Sequence, residues 1–257
     1  MANKHGDFIW YELMSADADA ATAFYGELMG WRFSNSGQPG RDYRIVNVGT
    51  EPIGGLLQLT RGQRECGAKP NWVGYIYVDD VKENLAAISA DGGSVTMPAT
   101  AIPGVGTLAM AGDPQGIPFY IMRPTDAGES RAFTEDASAI GHCAWNQLMT
   151  TDQEAARAFY GKHFGWRKNG EMDMGEMGSY EFLNHGPDIG AVMTCPPDAA
   201  PNWLYFFRVP GVEAAAATIT RLGGTLTMPP AQIPESEEYY LTAVDSEGAA
   251  FGLVGSK

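Results

Sequence analysis

The sequence predicts an α+β protein of two tandem domains, each built from two β-α-β-β-β units. Three observations predict it. A long internal repeat runs without gaps, the same strand and helix patterns recur in each copy, and a polar, aperiodic stretch separates the copies. Trp10, Asp17, Phe24-Tyr25-Gly26 and Gly30-Trp31-Arg32 return in register as Trp145, Asp152, Phe159-Tyr160-Gly161 and Gly165-Trp166-Arg167. A second set follows each copy: Asn71-Trp72, Gly92-Gly93, Thr96-Met97-Pro98 and Ile102-Pro103 return as Asn202-Trp203, Gly223-Gly224, Thr227-Met228-Pro229 and Ile233-Pro234.

Each element has its own signal. Residues 8–14 are rich in strand formers. Ser15 and Asp17 offer N-caps to a helix over 18–29, with Phe24 and Leu28 facing inward and Gly30 closing it. Trp31 to Phe33 begins a second strand, and 43–48 and 53–59 are two more. The next unit starts with a strand over 72–78. Asp79 and Asp80 cap a helix to about Ala90, and Gly92-Gly93 stops it. Strands follow at 94–97, 106–110 and 117–122, the last two joined by the Asp113-Pro114-Gln115-Gly116 turn. The second copy repeats this order over 141–196 and 202–254. Domains are expected at 6–124 and 140–255, with a linker at 125–139. Helices against one face of each sheet would leave the other face free to curve into a cup.

The chain has 257 residues and a formal net charge of −14. Phosphate binding needs a basic face, so a nucleic-acid partner is not expected. Three separated cysteines, Cys66, Cys143 and Cys195, give neither a disulfide framework nor a zinc ribbon. Reduced thiols and a short polar N-terminus lead to the expectation of a cytoplasmic protein. No apolar run approaches the roughly 20 residues that span a bilayer, so no membrane association is expected. A monomer with an internal pseudo-dimer, or a homodimer, fits the repeat.

Paired β-α-β-β-β units, with Phe-Tyr-Gly and Gly-Trp after the first helix, Gly-Gly after the second and Asp-Pro-x-Gly before the last strand, resemble the vicinal oxygen chelate superfamily. This is the glyoxalase, bleomycin-resistance and extradiol-dioxygenase group, and the nearest match is its tandem two-domain branch. The resemblance implies eight-stranded cups with outer helices. For the enzymes it also implies one divalent metal on His and Glu ligands, acting as a Lewis acid on vicinal oxygens. By register, the first-strand ligand positions fall on Trp10 and Trp145. Those of the second units fall on Val73 and Leu204, and the last-strand positions on Tyr120 and Gly252. The fourth strand offers Gln58 in one copy and Met193 or Thr194 in the other. Indole and aliphatic side chains do not ligate, and Gln with Tyr is no divalent site without carboxylate or imidazole. No metal cofactor is therefore expected. His5, His142, His163 and His185 read as satisfied or exposed side chains, and Cys143 as a structural thiol.

Strand alternation predicts the inward faces. Phe8, Trp10 and Glu12 share one, and Val73, Tyr75 and Tyr77 another, with Tyr120 and Met122 from the closing strand. The second copy offers Cys143, Trp145 and Gln147, then Leu204, Phe206 and Arg208. Ligand-binding candidates are Trp10, Tyr75, Tyr77, Gln58, Tyr120, Trp145, Gln147 and Arg208. Glu12 is the candidate general base, because an inward carboxylate is costly unless used or paired, with Arg32 or Arg44 as its alternative partners. Met172, Met174 and Met177 are expected in a loop covering the second cup. The leading expectation is a metal-independent protein that holds a flat, partly apolar small molecule. The alternatives are a glyoxalase-like lyase, isomerase or dioxygenase-related enzyme using Glu12 or a metal site elsewhere, and a regulatory scaffold with filled cups.

Overall fold

The computed structural model describes residues 2–126, 128–196 and 199–257. The first repeat runs β1 (Phe8–Ser15), α1 (Ala18–Met29), β2 (Arg32–Asn35), β3 (Tyr43–Val48), β4 (Glu51–Gln58), α2 (Arg61–Glu65), β5 (Asn71–Tyr77), α3 (Val81–Ala90), β6 (Ser94–Ile102), β7 (Gly106–Gly112) and β8 (Pro118–Pro124). The second runs β9 (Cys143–Thr150), α4 (Gln153–Phe164), β10 (Arg167–Asp173), β11 (Ser179–Asn184), β12 (Asp188–Thr194), β13 (Asn202–Gly211), α5 (Val212–Arg221), β14 (Thr225–Gln232), β15 (Tyr239–Val244) and β16 (Ala250–Ser256). These strands form two eight-stranded mixed sheets, ordered β2-β3-β4-β1-β5-β8-β7-β6 and β10-β11-β12-β9-β13-β16-β15-β14. The α+β class and the tandem β-α-β-β-β organisation are as expected.

Local chemistry sets the helices. The Asp17 carboxylate caps α1 by accepting from the N–H groups of Asp19 and Ala20, and Gly30 ends it at φ 69°. Asp152 and Gly165 do the same for α4, and Asp80 caps α3. Such a cap contributes about 1 kcal/mol. The short helix α2 was not expected, although Thr60 and Gln63 form a capping box ahead of it.

By compactness the chain divides into two units. One comprises 1–9, 73–130 and 145–203, and the other 10–72, 131–144 and 204–257. Each takes one β-α-β-β-β module from each repeat, so α3 packs on α4 in the first and α1 on α5 in the second. The motifs that define the repeat explain how.

In the second unit, Trp72 Nε1 donates to Tyr25 Oη at 3.0 Å, and Tyr25 Oη donates to Asp245 Oδ2 at 3.0 Å. Asp245 Oδ1 accepts from the N–H groups of Glu247 and Ala249, both at 2.9 Å. In the first unit, Trp203 donates to Tyr160 and Tyr160 to Asp113, each at 3.2 Å. Asp113 Oδ1 accepts from the N–H groups of Gln115 and Ile117 at 2.9 Å. All six side chains are buried. Trp31 stacks on Tyr25 and Trp166 on Tyr160, with ring centroids 5.7 and 5.2 Å apart. Each indole also reaches a backbone carbonyl, Trp31 that of Gly141 and Trp166 that of Gly6. The Phe-Tyr-Gly, Gly-Trp, Asn-Trp and Asp-x-x-Gly motifs are thus one buried relay per unit. Each relay joins modules that lie far apart in sequence.

Two other motifs have structural roles. A Cβ at Gly93 or Gly224 would lie 2.8 Å from the carbonyl oxygen of Gly112 or Val244, so only glycine lets the chain pass there. The Thr-Met-Pro segments lie on β6 and β14, each an outer edge of its sheet. Their pairing slips between Met97 and Thr100 and between Met228 and Ala231. Proline and a bulge on an edge strand oppose the addition of further strands.

The stretch 125–139 is more than a tether. Ala132 is fully buried, Phe133 bridges Cys143, and the Ser130 hydroxyl donates to the carbonyl of Ile9 at 2.6 Å. A single bridge leaves no periodic trace, which is why the sequence reads as linker.

Candidate functional site

On β1, Tyr11 packs edge-on against Tyr205 and Phe207, with centroids 5.0 and 5.9 Å apart. Alternation then places Trp10 and Glu12 on the opposite face. Trp10 is half-buried, and its Nε1 donates to Tyr43 Oη at 3.0 Å. Gly55 makes this pair possible, since a Cβ there would lie 2.0 Å from the Tyr43 hydroxyl. Glu12 is the register partner of Gly55 and is only 2 % exposed. Arg44 stays on the helix side. It binds Asp42 through Nε and Nη2, Asp19 through Nη2, and the Ala18 carbonyl and Thr22 hydroxyl of α1 through Nη1.

Gln58, a ligand-binding candidate, and Phe8, placed on the inward face, both have partners of their own. Gln58 Oε1 accepts from the N–H of Ala18 at 2.7 Å, and its Nε2 donates to the carbonyls of Ala16 and Leu59. It supports the start of α1. Phe8, assigned by alternation to the face of Trp10, instead stacks on Trp166 at 5.2 Å and meets Trp203 edge-on at 5.6 Å.

The second repeat carries the same pair. Trp145 Nε1 donates to Tyr180 Oη at 2.8 Å, and Tyr180 Oη donates to Gln147 Oε1 at 3.0 Å. Phe182 lies edge-on to both rings. Strand pairing confirms the equivalence: Tyr11 and Glu12 oppose Gly54 and Gly55, as Asn146 and Gln147 oppose Gly190 and Ala191. Glu12 and Gln147 are therefore counterparts. Sequence reasoning missed Tyr43 and Tyr180, yet Tyr43, Asn47 and Gly49 recur at the same spacing as Tyr180, Asn184 and Gly186. Met172 was expected in a covering loop; it lies on β10 as the register partner of Tyr180. Pairing with β11 makes this segment a strand despite the low strand propensity of Lys168, Asn169, Gly170 and Asp173. Met174 follows in the turn, and the Met177 side chain lies outside the described residues.

The second modules differ more. Tyr75 and Tyr120 are register partners whose rings stack at 4.2 Å. The Tyr77 hydroxyl accepts from Arg123, whose guanidinium also lies 5.0 Å from the Tyr77 ring and bonds Asp79. At the matching positions of the second repeat, the Phe206 ring covers Gly252 and Arg208 pairs with Glu238. One compact unit thus holds Trp10, Glu12, Gln58 and Arg208. The other holds Tyr75, Tyr77, Tyr120, Trp145 and Gln147.

The donor chemistry of these positions does not fit a divalent cation. Both indoles spend their only N–H on tyrosine, the Gln58 amide is bound to backbone, and Tyr120 is stacked. No group of three His, Cys, Asp or Glu gathers among the described residues. The histidines lie apart from the Trp–Tyr faces. His163 is buried 3.0 Å from Asp91, His142 Nδ1 meets the Arg131 carbonyl, and His185 faces Asp7. Burial holds the imidazoles of His163 and His185 below their ordinary pKa. It pushes the Cys195 thiol up, away from nucleophilic use.

Fold and motifs together define a class, and comparison with known proteins states it. The model of the Glyoxalase/Bleomycin resistance protein/Dioxygenase superfamily matches residues 8–121 and 139–251, so the chain belongs to that superfamily. Among curated proteins, CFP32 of Mycobacterium bovis, whose given name includes the word glyoxylase, is 33 % identical over 125 residues. That match covers 48 % of this chain and 46 % of CFP32, about half the length of each. The anthracycline biosynthesis protein DnrV of Streptomyces peucetius is 25 % identical over 260 residues, covering 95 % of this chain and 91 % of DnrV. Among solved structures, the Mn(II)-bound glyoxalase of Novosphingobium aromaticivorans aligns with TM-score 0.64 at 16 % identity, over 96 % of this chain and 80 % of that one. The 2,2',3-trihydroxybiphenyl 1,2-dioxygenase of Sphingomonas wittichii aligns with TM-score 0.66 at 15 % identity, over 100 % and 91 %. At such identities the structures speak for the fold alone. No helix among the described residues is long and apolar enough to cross a membrane.

Proposed function

We propose that the chain is a metal-independent small-molecule-binding protein that holds a flat, partly apolar, aromatic ligand against its Trp–Tyr faces. The observation that carries the reading is the hydrogen-bonded Trp–Tyr pair, present in both repeats at the first-strand position where the family's enzymes place a metal ligand. A ring fixed by a hydrogen bond presents its π-face with little entropy left to lose. Glu12 and Gln147 supply the polar anchor beside each pair. The likeness to DnrV supports a planar polycyclic ligand, since anthracyclines are of that shape. Nucleic acid is not among the partners this reading implies, given the net charge of −14.

Tryptophan-fluorescence titration with an anthracycline, with and without EDTA, tests the proposal. Binding is expected to be indifferent to EDTA. Trp10→Leu and Trp145→Leu are each expected to weaken the binding at their own repeat by about tenfold, the loss of a stacking contact of about 1–1.5 kcal/mol. An unchanged affinity in both variants overturns it. One observation favours a second reading, a glyoxalase-like enzyme: the Glu12 carboxylate is deeply buried beside the Trp10–Tyr43 pair, where a general base would sit. Turnover of an α-ketoaldehyde–thiol adduct that is lost in Glu12→Gln would establish that reading in place of the first.

A further inference from the structure

Arg208 is a site candidate whose counterpart in the other repeat, Tyr77, has different chemistry and whose charge the fold does not require. It lies on β13 opposite Val254 of β16, just as Tyr77 lies opposite Met122. The scaffold is therefore satisfied by a neutral side chain at this position, and a buried cation is particular to the second repeat.

The surroundings of Arg208 are apolar and aromatic. Tyr240 of β15 also opposes Val254, so the guanidinium, the Val254 side chain and the Tyr240 ring stand in one row on one face. In the next row, Phe206 opposes Gly252, and its ring lies where a Cβ of residue 252 would be. The Phe206 and Tyr240 centroids are 6.3 Å apart. A glycine under one ring and a second ring inclined to it by 57° give an apolar corner that ends at a positive charge.

That charge is incompletely satisfied. Arg208 is 7 % exposed. Its Nη1 binds Glu238, while its Nε is buried with no hydrogen-bond partner. A buried guanidinium N–H left unpaired costs free energy that a bidentate acceptor would recover. Glu238 is a single-point partner, about a third exposed and placed just before β15. Asp136 is held by Ser138.

We infer that Arg208 anchors an acid-binding site, in which a planar aromatic carboxylate lies on the Phe206–Tyr240 face and takes the guanidinium over from Glu238. The carboxylate supplies two oxygens, one for Nε and one for Nη, where Glu238 engages Nη1 alone. Glu238 swings to solvent and acts as a built-in competitor, so the site selects for acids that bind in a forked geometry.

The two residues have opposite effects on affinity, and this makes the site testable. Calorimetric titration of the full chain with 2-naphthoate, and with neutral 2-naphthylmethanol as the isosteric control, reads it directly. Glu238→Gln removes the competing charge and is expected to tighten 2-naphthoate about tenfold or more, the worth of one charge-assisted hydrogen bond. Arg208→Met keeps volume and is expected to abolish binding of the acid. Discrimination against the alcohol should vanish with it. Glu238→Gln keeps the side-chain volume and an amide oxygen that can still accept from Nη1, so it decides the matter even where Arg208→Met is unstable. Equal affinity for 2-naphthoate in wild type and Glu238→Gln, or no binding in either, overturns the inference. Neither variant touches the Trp–Tyr faces, so failure here leaves the titrations of Trp10→Leu and Trp145→Leu to be judged on their own.

Discussion

Tyr25→Phe removes one oxygen atom from the centre of a buried relay and changes no packing volume, so its cost is one of hydrogen bonding alone. The hydroxyl it deletes accepts from Trp72 at 3.0 Å and donates to Asp245 at 3.0 Å. Both partners are buried away from water. A buried indole N–H left unpaired costs about 1–3 kcal/mol, and a bond to a carboxylate contributes about 1.5–3 kcal/mol. Together they give a loss of about 2.5–6 kcal/mol, with an unchanged denaturant slope because the surface exposed on unfolding is the same. Urea unfolding followed by near-ultraviolet circular dichroism measures it, and a cycle with Asp245→Asn isolates the Tyr–Asp coupling. Tyr160→Phe in the other unit should cost somewhat less, because its two bonds are longer at 3.2 Å. A loss below about 1 kcal/mol for Tyr25→Phe would show that the relay is not what joins the modules.

Three further predictions follow from the same structure. Burial raises the carboxyl pKa of Asp245 and Asp113 above the ordinary value. The stability each contributes is full below about pH 3.9 and declines as pH rises to the native value, so Asp245→Asn should flatten the stability profile over that window. Burial depresses His163 against the pull of Asp91. Its share of stability is present above about pH 6.5 and lost on acidification, and His163→Gln should reduce the fall in urea midpoint between neutral and mildly acidic pH. Gly55→Ala would place a methyl 2.0 Å from the Tyr43 hydroxyl. It should break the Trp10–Tyr43 bond, shift the indole emission and cost about 1–3 kcal/mol of stability.

Much of this molecule was legible in its sequence, for a physical reason. The repeat motifs return because each unit needs the same relay, so Tyr25, Trp31, Trp72 and Asp245 are matched by Tyr160, Trp166, Trp203 and Asp113. Periodicity placed the strands and helices, and Asp17, Asp80 and Asp152 marked the helix starts, because caps and alternation act over a few residues. The same local logic put Trp10 and Glu12 on one face of β1 and Trp145 and Gln147 on one face of β9.

What needed the tertiary structure was partnership between residues distant in sequence. Gln58 has the same amide whether it meets a ligand or the backbone of α1, and only the fold sends it to Ala18 and Ala16. Phe8 obeys strand alternation in sequence, yet the aromatic core around Trp166 and Trp203 claims it. Tyr43 and Tyr180 looked like ordinary strand residues until pairing brought their hydroxyls to Trp10 and Trp145. Side-chain type and spacing are properties of the chain. Which polar group satisfies which is settled only when distant strands come into register, because a hydrogen bond is decided over about 3 Å in space and not by position along the sequence.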